Sequence, residues 1–308
     1  MHIVNQAAEL KTHGRKVCVA IGVFDGVHLG HQQVIRQTLG DAEQHEALAV
    51  VITFDRHPNS IVAPERVPPL IYSLPQKLRA IEGLGADAIC LIHFDKTFSH
   101  QTGEEFVRKL AQDFGHLQSV CVGSEFTFGH KRSGNVPLLQ KLGAELHFTV
   151  HGLAAVSLDG QVVSSTRIRE VIRAGQLDFA SQMLGRGYAL AGEVIRGAQL
   201  GRKLGFPTAN LDVRGLVLPP SGVYAVHARV GEKLSRAALN IGVRPTVGAE
   251  LAQQVEAHLL DFDGDLYGQE LEITFVEKLR EEEKFPSLDA LKAQIARDIE
   301  KTRQLFSR

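Results

Sequence analysis

Four short apolar runs, at 17–23, 47–54, 87–94 and 118–123, punctuate the first half of the chain. Each is apolar on both faces instead of alternating, which is the pattern of parallel strands covered on both sides. Between them lie segments near 30–45, 74–84 and 103–114 with apolar residues at helical spacing. In the last of these, Phe106, Val107, Leu110, Ala111 and Phe114 make one stripe. A further helix over about 136–143 and a strand over 145–151 continue the alternation. The pattern predicts an α/β fold, a doubly wound parallel sheet whose ligands bind at the carboxyl ends of its strands.

Around 175–192 the pattern changes. A helical stretch over Leu177–Leu184 runs into Gly185-Arg186-Gly187, and alternating strands follow at 188–195, 222–230, 237–241, 254–260 and 271–276. Pro219-Pro220 and Asp263-Gly264-Asp265 are turn signals between them. Short strands without intervening helices predict a small antiparallel β-barrel. One helix closes the chain, with Ser287 as N-cap and Leu288, Leu291, Ile295 and Ile299 as its apolar stripe. The expected domains are 1–184 and 185–308.

A chain of 308 residues is ample for two domains. Its net charge is −1 with no long block of like charge, which argues against a nucleic-acid surface. Cys18, Cys90 and Cys121 each sit inside an apolar run, and none belongs to a Cys-x-x-Cys pair. They read as core residues, not metal ligands or a disulfide framework. The start, Met1-His2-Ile3-Val4-Asn5-Gln6, lacks the basic and apolar segments of a signal peptide, and no run approaches a membrane span. A cytoplasmic protein without membrane partners is expected.

The first candidate chemistry follows the first strand: Gly22-Val23-Phe24-Asp25-Gly26-Val27-His28-Leu29-Gly30-His31. Strand, glycine loop and helix start make a place where free N–H groups and the helix dipole favour a phosphate. His28 and His31 are three apart, so they share a face of the helix's first turn. Their imidazoles can donate hydrogen bonds to phosphate oxygens. Gly26 and Gly30 allow close approach of a ligand to the backbone. Three later segments join them. Thr53-Phe54-Asp55-Arg56-His57-Pro58 follows the second strand, and the glycine-containing basic loop from Gly123 to Asn135 follows the fourth. Ser164-Ser165-Thr166-Arg167-Ile168-Arg169 precedes a helix, with Thr166 or Ser165 as N-cap and two guanidinium groups suited to a triphosphate.

In the second half, Gly192 to Leu211 is a glycine-rich basic loop, with Gly197, Gly201 and Arg202, leading into extended Pro207-Thr208-Ala209-Asn210. Thr208 and Asn210 share a strand face, so their oxygens can ligate one Mg²⁺. Along 255–259, Val255, Ala257 and Leu259 face one way and Glu256 the other. There is no Gly-x-x-x-x-Gly-Lys-Ser/Thr loop.

The His-x-Gly-His element resembles the signature of the nucleotidylyltransferase superfamily. Its fuller form resembles the bifunctional prokaryotic riboflavin kinase/FAD synthetases. The second half resembles riboflavin kinase in Gly201-Arg202-x-x-Gly205-x-Pro207-Thr208-Ala209-Asn210, in Gly222-Val223-Tyr224-Ala225 and in Asn240-Ile241-Gly242-Val243-Arg244-Pro245-Thr246. It does so again in Glu256-Ala257-His258, Asp265-Leu266-Tyr267-Gly268 and Leu279-Arg280-x-x-x-Lys284-Phe285. The resemblance spans nearly the whole chain. It implies a Rossmann-like first domain that makes FAD and pyrophosphate from FMN and ATP, and a barrel that makes FMN from riboflavin and ATP. His28 and His31 are then catalytic, and Glu256 is the kinase's general base. ATP phosphates fall to Gly22, Phe24, Asp25, Gly26, Gly30, Ser164, Ser165, Thr166, Arg167 and Arg169, and in the barrel to Gly197, Gly201 and Arg202. His57, Pro58, Gly123 and Asn135 are weaker flavin or nucleotide contacts. Glu125 departs from the Asp or Asn usual after Gly-x. Alternatives are an enzyme with one live site, a non-catalytic flavin-binding regulator, and an adenylyltransferase with a different acceptor.

Overall fold

A computed structural model of the chain describes residues 1–197, 199–245 and 251–307. Ala198 and Thr246, both inside motifs named above, lie outside them. The chain forms two compact units, Met1–Arg167 and Ile168–Arg308.

The first unit is built on a six-stranded, all-parallel sheet. Its elements are β1 (His2–Val4), β2 (Val17–Ile21), α1 (Leu29–Gln44), β3 (Leu48–Phe54), α2 (Leu74–Glu82), β4 (Ala88–Ile92), α3 (Gly103–Phe114), β5 (Leu117–Gly123), α4 (Val136–Leu146) and β6 (Thr149–Leu153). Strand order is β1-β4-β3-β2-β5-β6. Alternate residues of each strand feed two cores. Val19, Ile52, Cys90 and Val120 meet Phe106, Leu110 and Leu139 on one face. Ala20, Val51, Ile89 and Cys121 meet Val34, Ile35 and Ile81 on the other. That two-sided burial is why these strands read as unbroken apolar runs. All three cysteines are buried and free. Burial pushes the Cys90 and Cys121 thiols up to about 12, as inert core groups require.

Two expectations shift. The helix expected over 136–143 continues to Leu146, because Ala144, Glu145 and Leu146 are strong helix formers. His147, left-handed at φ 63°, then ends it, so the strand expected from 145 starts at Thr149. The short β1 has no counterpart in the hydrophobic pattern.

The second unit begins with the residues after Arg167 in helix α5 (Ser165–Arg173), then α6 (Leu177–Leu184). A closed antiparallel barrel follows: β7 (Ala189–Ile195), β8 (Ala209–Leu211), β9 (Gly222–Val230), β10 (Lys233–Pro245), β11 (Leu251–Leu259) and β12 (Glu270–Arg280). Helix α7 (Leu200–Leu204) lies between β7 and β8, and α8 (Leu288–Leu305) ends the unit. The order around the barrel is β7-β8-β11-β10-β9-β12. Five strands were expected. The sixth, β8, is only three residues long, yet it closes the barrel by pairing with both β7 and β11. Leu190, Val226, Leu239, Val255, Ala257 and Ile273 fill the interior. Ser287 caps α8 as expected, its hydroxyl accepting from Ala290 N at 3.1 Å.

Helix α8 is fixed to the barrel by one buried ion pair. Arg280 at the end of β12 donates through Nε and Nη2 to the Asp298 carboxylate, at 3.0 and 2.8 Å. The side chains are 17% and 6% exposed, so removing one partner strands the other charge away from water. Asp298→Ala should therefore lower stability by about 3–5 kcal/mol, while the paired replacement Arg280→Met with Asp298→Leu should cost much less. Urea unfolding of the two variants, followed by circular dichroism, checks this.

Candidate functional site

Strand order in the first unit reverses between β2 and β5, since β2 leads to β3 on one side and β5 stands on the other. Loops leaving the carboxyl ends of two such strands diverge and leave a crevice. A cavity of about 400 Å³ opens there, lined by Gly22, Phe24, His28 and His31 after β2, and by Gly123 and Glu125 after β5. Gly30 and Val163 also reach it.

The loop from β2 to α1 is tightly wound. Phe24, Gly26 and Val27 all have positive φ, at 52°, 79° and 41°. For a buried β-branched residue such as Val27 this is a genuine outlier, worth about 1–3 kcal/mol of strain. It places His28 at the N-cap of α1, where its Nδ1 accepts from His31 N at 3.4 Å. A ring nitrogen that accepts carries no proton, so the neutral imidazole of His28 holds its proton on Nε2. The two imidazoles stack with centroids 3.6 Å apart and planes at 21°, and the Phe24 ring meets His31 edge-on. The helix behind them is sixteen residues long, so its dipole adds to the same spot.

Neighbouring side chains hold this loop. The Asp25 carboxylate is buried and accepts from Ile71 N and Tyr72 N, at 3.0 and 3.3 Å. It anchors the segment before α2 and points inward, not into the cavity. Gly26 fits because a Cβ there would touch Ile71 at 3.0 Å, with φ already positive. Ser165 Oγ donates to Asp25 O at 3.1 Å. In the Ser164–Arg169 stretch the cap is Ser164, one residue earlier than expected, since its hydroxyl accepts from Arg167 N at 3.3 Å. Thr166 is exposed and Arg169 is buried. One nitrogen of the Arg167 guanidinium donates to Leu158 O and Gln161 O, the pair that flanks the turn of a two-stranded hairpin at 157–162. His57 Nδ1 accepts from Asn59 N at 3.1 Å, Pro58 starts the turn of helix that follows, and Asn135 caps α4.

Lys77, one turn into α2, went unremarked in the sequence. It is 7% exposed, and Nζ donates to Phe54 O at 2.6 Å, Thr53 Oγ1 at 3.2 Å and Val23 O at 3.3 Å. Burial pulls its ammonium down to about 8, against the pull of Asp25 and Asp55.

On the barrel, inward Val255, Ala257 and Leu259 turn Glu256 outward, as the alternation predicts. Glu256 is the register partner of Asn210 on β8 and of Asn240 on β10, so the three form a row across neighbouring strands. Thr208 Oγ1 donates to Glu256 Oε2 at 3.3 Å. The loop glycines are spaced for this row. A Cβ on Gly197 would fall within 2.4 Å of the Asn210 amide, and one on Gly201 within 2.4 Å of Phe206 O and 3.1 Å of Thr208 Oγ1. Thr208 lines two cavities. One, about 670 Å³, is bounded by Arg196, Arg202 and Tyr267. The other, about 300 Å³, lies between the barrel and α8 and contains Glu256, Asn240, Phe285 and Leu291. Asn240 and the α8 lining residues carried no sequence role, although Asn240 stood inside a quoted motif. Among the described residues no three His, Cys, Asp or Glu side chains group as metal ligands, and no helix is long and apolar enough to cross a membrane.

Two family profiles match the chain: FAD synthetase over residues 10–167 and riboflavin kinase over residues 184–306. A bifunctional riboflavin kinase/FMN adenylyltransferase of Haemophilus influenzae is 38% identical, covering 94% of each chain. The protein of that name in Escherichia coli K12 is 37% identical over 99% of this chain and 98% of its own. A solved structure titled a macrolide-efflux protein of Streptococcus pneumoniae has a TM-score of 0.80 at 28% identity, covering 98% of both chains.

The depressed Lys77 pKa has a signed consequence. Between about 8 and the ordinary 10.5 the unfolded chain holds the proton that the folded chain has lost. Stability contributed at this site therefore rises with pH across that window. Measured by urea unfolding at a series of pH values, the parent should gain stability relative to Lys77→Met as pH climbs from about 8 to about 10.

Proposed function

The chain belongs to the family of bifunctional riboflavin kinase/FMN adenylyltransferases, and from that premise we propose how its residues divide the two reactions. The riboflavin kinase half phosphorylates riboflavin with ATP to give FMN, and the FAD synthetase half adenylylates FMN with ATP to give FAD and pyrophosphate. We assign 1–184 to the adenylyltransferase and 185–308 to the kinase, and we place the enzyme in the cytoplasm, where its three buried thiols stay reduced.

In adenylyl transfer an FMN phosphate oxygen attacks the α-phosphorus of ATP, and pyrophosphate leaves. The protein needs no nucleophile of its own; it positions the phosphates and stabilises charge. His28 offers Nε2–H to a phosphate oxygen, with His31 stacked beside it and the N-terminus of α1 behind both. Gly22 and Gly30, on the cavity wall, let the phosphates approach the backbone, while Gly26 makes room for Ile71 behind the loop. Arg167, with Ser164, Ser165 and Thr166, is assigned to the phosphates as well. Asp25 acts behind the loop, and Phe24, Gly123 and Glu125 border the same cleft. The observation that carries this reading is the stacked histidine pair at the strand-order switch point.

In the kinase, Glu256 takes the proton of the riboflavin 5′-hydroxyl as that oxygen attacks the γ-phosphorus, and ADP leaves. The carrying observation is the position of Thr208 between two cavities, hydrogen-bonded to Glu256. The larger cavity, bordered by Arg202, takes ATP, and Gly197 and Gly201 belong to the loop beside it. The apolar one under α8 takes the flavin. The hydroxyl of Thr208 and the amide oxygen of Asn210, cradled under Gly201 and Gly197, are hard neutral donors that suit Mg²⁺ and leave its charge for phosphate. Bound there, Mg²⁺ would offset the charge of the transferred phosphoryl group.

His31→Ala should lower FAD formation by about 10²–10³-fold and leave FMN formation near normal. Equal loss in both half-reactions, assayed separately on folded protein, would falsify the assignment. Glu256→Gln keeps volume and one acceptor but cannot take a proton. It should cut the kcat of FMN formation by about 10²–10⁴-fold with little change in KM. Thr208→Ala and Asn210→Ala should instead raise the Mg²⁺ concentration needed for half-maximal kinase rate. Steady-state kinetics across Mg²⁺ concentrations separate the two effects, and a Glu256→Gln enzyme of normal kcat would remove Glu256 from the mechanism.

A further inference from the structure

Lys77 is placed where a lysine is costly. It is buried, so its charge is desolvated. It also stands at the fifth residue after the Ser73 N-cap counted inclusively, near the positive end of its own helix, where the dipole disfavours a cation. The groups that face it are Asp25 from the loop after β2, Asp55 just beyond β3 with Arg56 and His93 bonded to it, and His57 and Tyr72 in the same small crevice. None of these is the immediate partner of Nζ in the contacts that hold it. Those contacts are two backbone carbonyls and a hydroxyl from two different strand ends.

What the ammonium gains is mechanical. Val23 belongs to the loop that ends at His28, and its carbonyl accepts from both Lys77 Nζ and Thr53 Oγ1, at 3.3 and 3.1 Å. The carbonyl of Phe54 at the end of β3 accepts from the same Nζ. Asp25, two residues beyond Val23, is held by the backbone N–H groups of Ile71 and Tyr72, just before the helix that carries Lys77. The start of α2 is itself rigid, since Ser73 and Gln76 form a reciprocal capping box with Pro75 in the first turn. One rigid helix start thus grips the loop at two points.

We propose that Lys77 is a positioning residue for adenylyl transfer: it fixes the β2–α1 loop to the end of β3, and so sets where His28 and His31 meet the phosphates. This rests on the phosphate role given above to those histidines. Neutral apolar packing at position 77 would fill the space equally well, but it could not hold three acceptors from separate segments in one place. A shift of the loop by about 1 Å is enough to cost on the order of 10²-fold in rate.

The test uses the full chain and both half-reactions. Lys77→Met should lower the kcat of FAD formation by about 10²-fold, with KM for FMN little changed and FMN formation from riboflavin intact. A residue acting through His28 and His31 should lose its effect once both are gone. The triple variant Lys77→Met with His28→Ala and His31→Ala should therefore be no more than a few-fold slower than the His28→Ala, His31→Ala pair, because coupled sites are not additive. A residue of merely structural importance would give multiplied losses or a lowered melting temperature without that coupling. Normal FAD formation in Lys77→Met, or multiplied losses in the triple variant, overturns the proposal. Should Lys77→Met fail to fold, Thr53→Val removes one donor to the same Val23 carbonyl and one partner of Nζ. It should slow FAD formation several-fold, again only when the two histidines are present, and wild-type kinetics there would overturn the proposal. If the His28→Ala, His31→Ala pair is itself without effect, the fault lies with the phosphate assignment, not with Lys77.

Discussion

The backbone of the loop between β2 and α1 is the constraint around which the first unit is arranged. Phe24, Gly26 and Val27 take positive φ within four residues, and two of them carry bulky side chains. A chain released from its surroundings would relax out of this conformation. It is held because Phe24 and Val27 are fully buried, Gln32 donates to Val27 O at 2.9 Å, Asp25 captures two N–H groups, and Lys77 with Thr53 captures the Val23 carbonyl. The same winding turns His28 back over the first turn of α1 and brings its ring onto His31. The strained backbone is thus what lets two imidazoles and a helix terminus converge on one cavity wall.

The barrel meets a similar demand without strain of that kind. Its polar row of Asn210, Glu256 and Asn240 is a consequence of register, because partners on adjacent antiparallel strands lie side by side on one face. A closed barrel fixes that row, and Gly197 and Gly201 pass close to Asn210 and Thr208. A single added methyl group at Gly197 would collide with Asn210 of the row, and one at Gly201 with Phe206 O beside Thr208. In this unit precision comes from hydrogen-bond register, and in the first it comes from buried anchors behind a loop.

Most of the architecture was legible in the sequence, because strands buried on both faces, amphipathic helices and barrel strands leave different periodicities. The exceptions share one cause: their determinants are not periodic. His2–Val4 is an edge strand too short to show alternation. Ala209–Leu211 is defined by pairing on both sides, not by its three residues. The chemistry divides the same way. His28, His31, Thr208, Asn210 and Glu256 stand out in the sequence by motif spacing; the structure places His28, His31, Thr208 and Glu256 on cavity walls and Asn210 in register with Glu256. The inward aim of Asp25, the cap at Ser164 and the Arg167 contacts with the 157–162 hairpin depend on what lies opposite in space. No one-dimensional pattern carries that. Lys77 is the sharpest case, since a lysine on a helix reads as a solvated charge until its three acceptors, from β3 and the loop after β2, are seen.

The two halves also show why one chain can handle two phosphate transfers without a P-loop. Phosphate needs positive potential delivered at short range, and desolvated, preoriented donors deliver it more effectively than mobile surface charges. A net charge of −1 rules out a broad basic field as the source. The first unit instead supplies fixed N–H donors, from a helix terminus and from an imidazole whose tautomer is set by its own capping bond. The second offers neutral oxygen atoms on a rigid wall, donors of the kind a hard cation takes. The adenylyltransferase half therefore depends on a buried framework that must not move, which is why an apparently misplaced buried cation belongs to it. The kinase half depends on strand register and on glycines small enough to close over it.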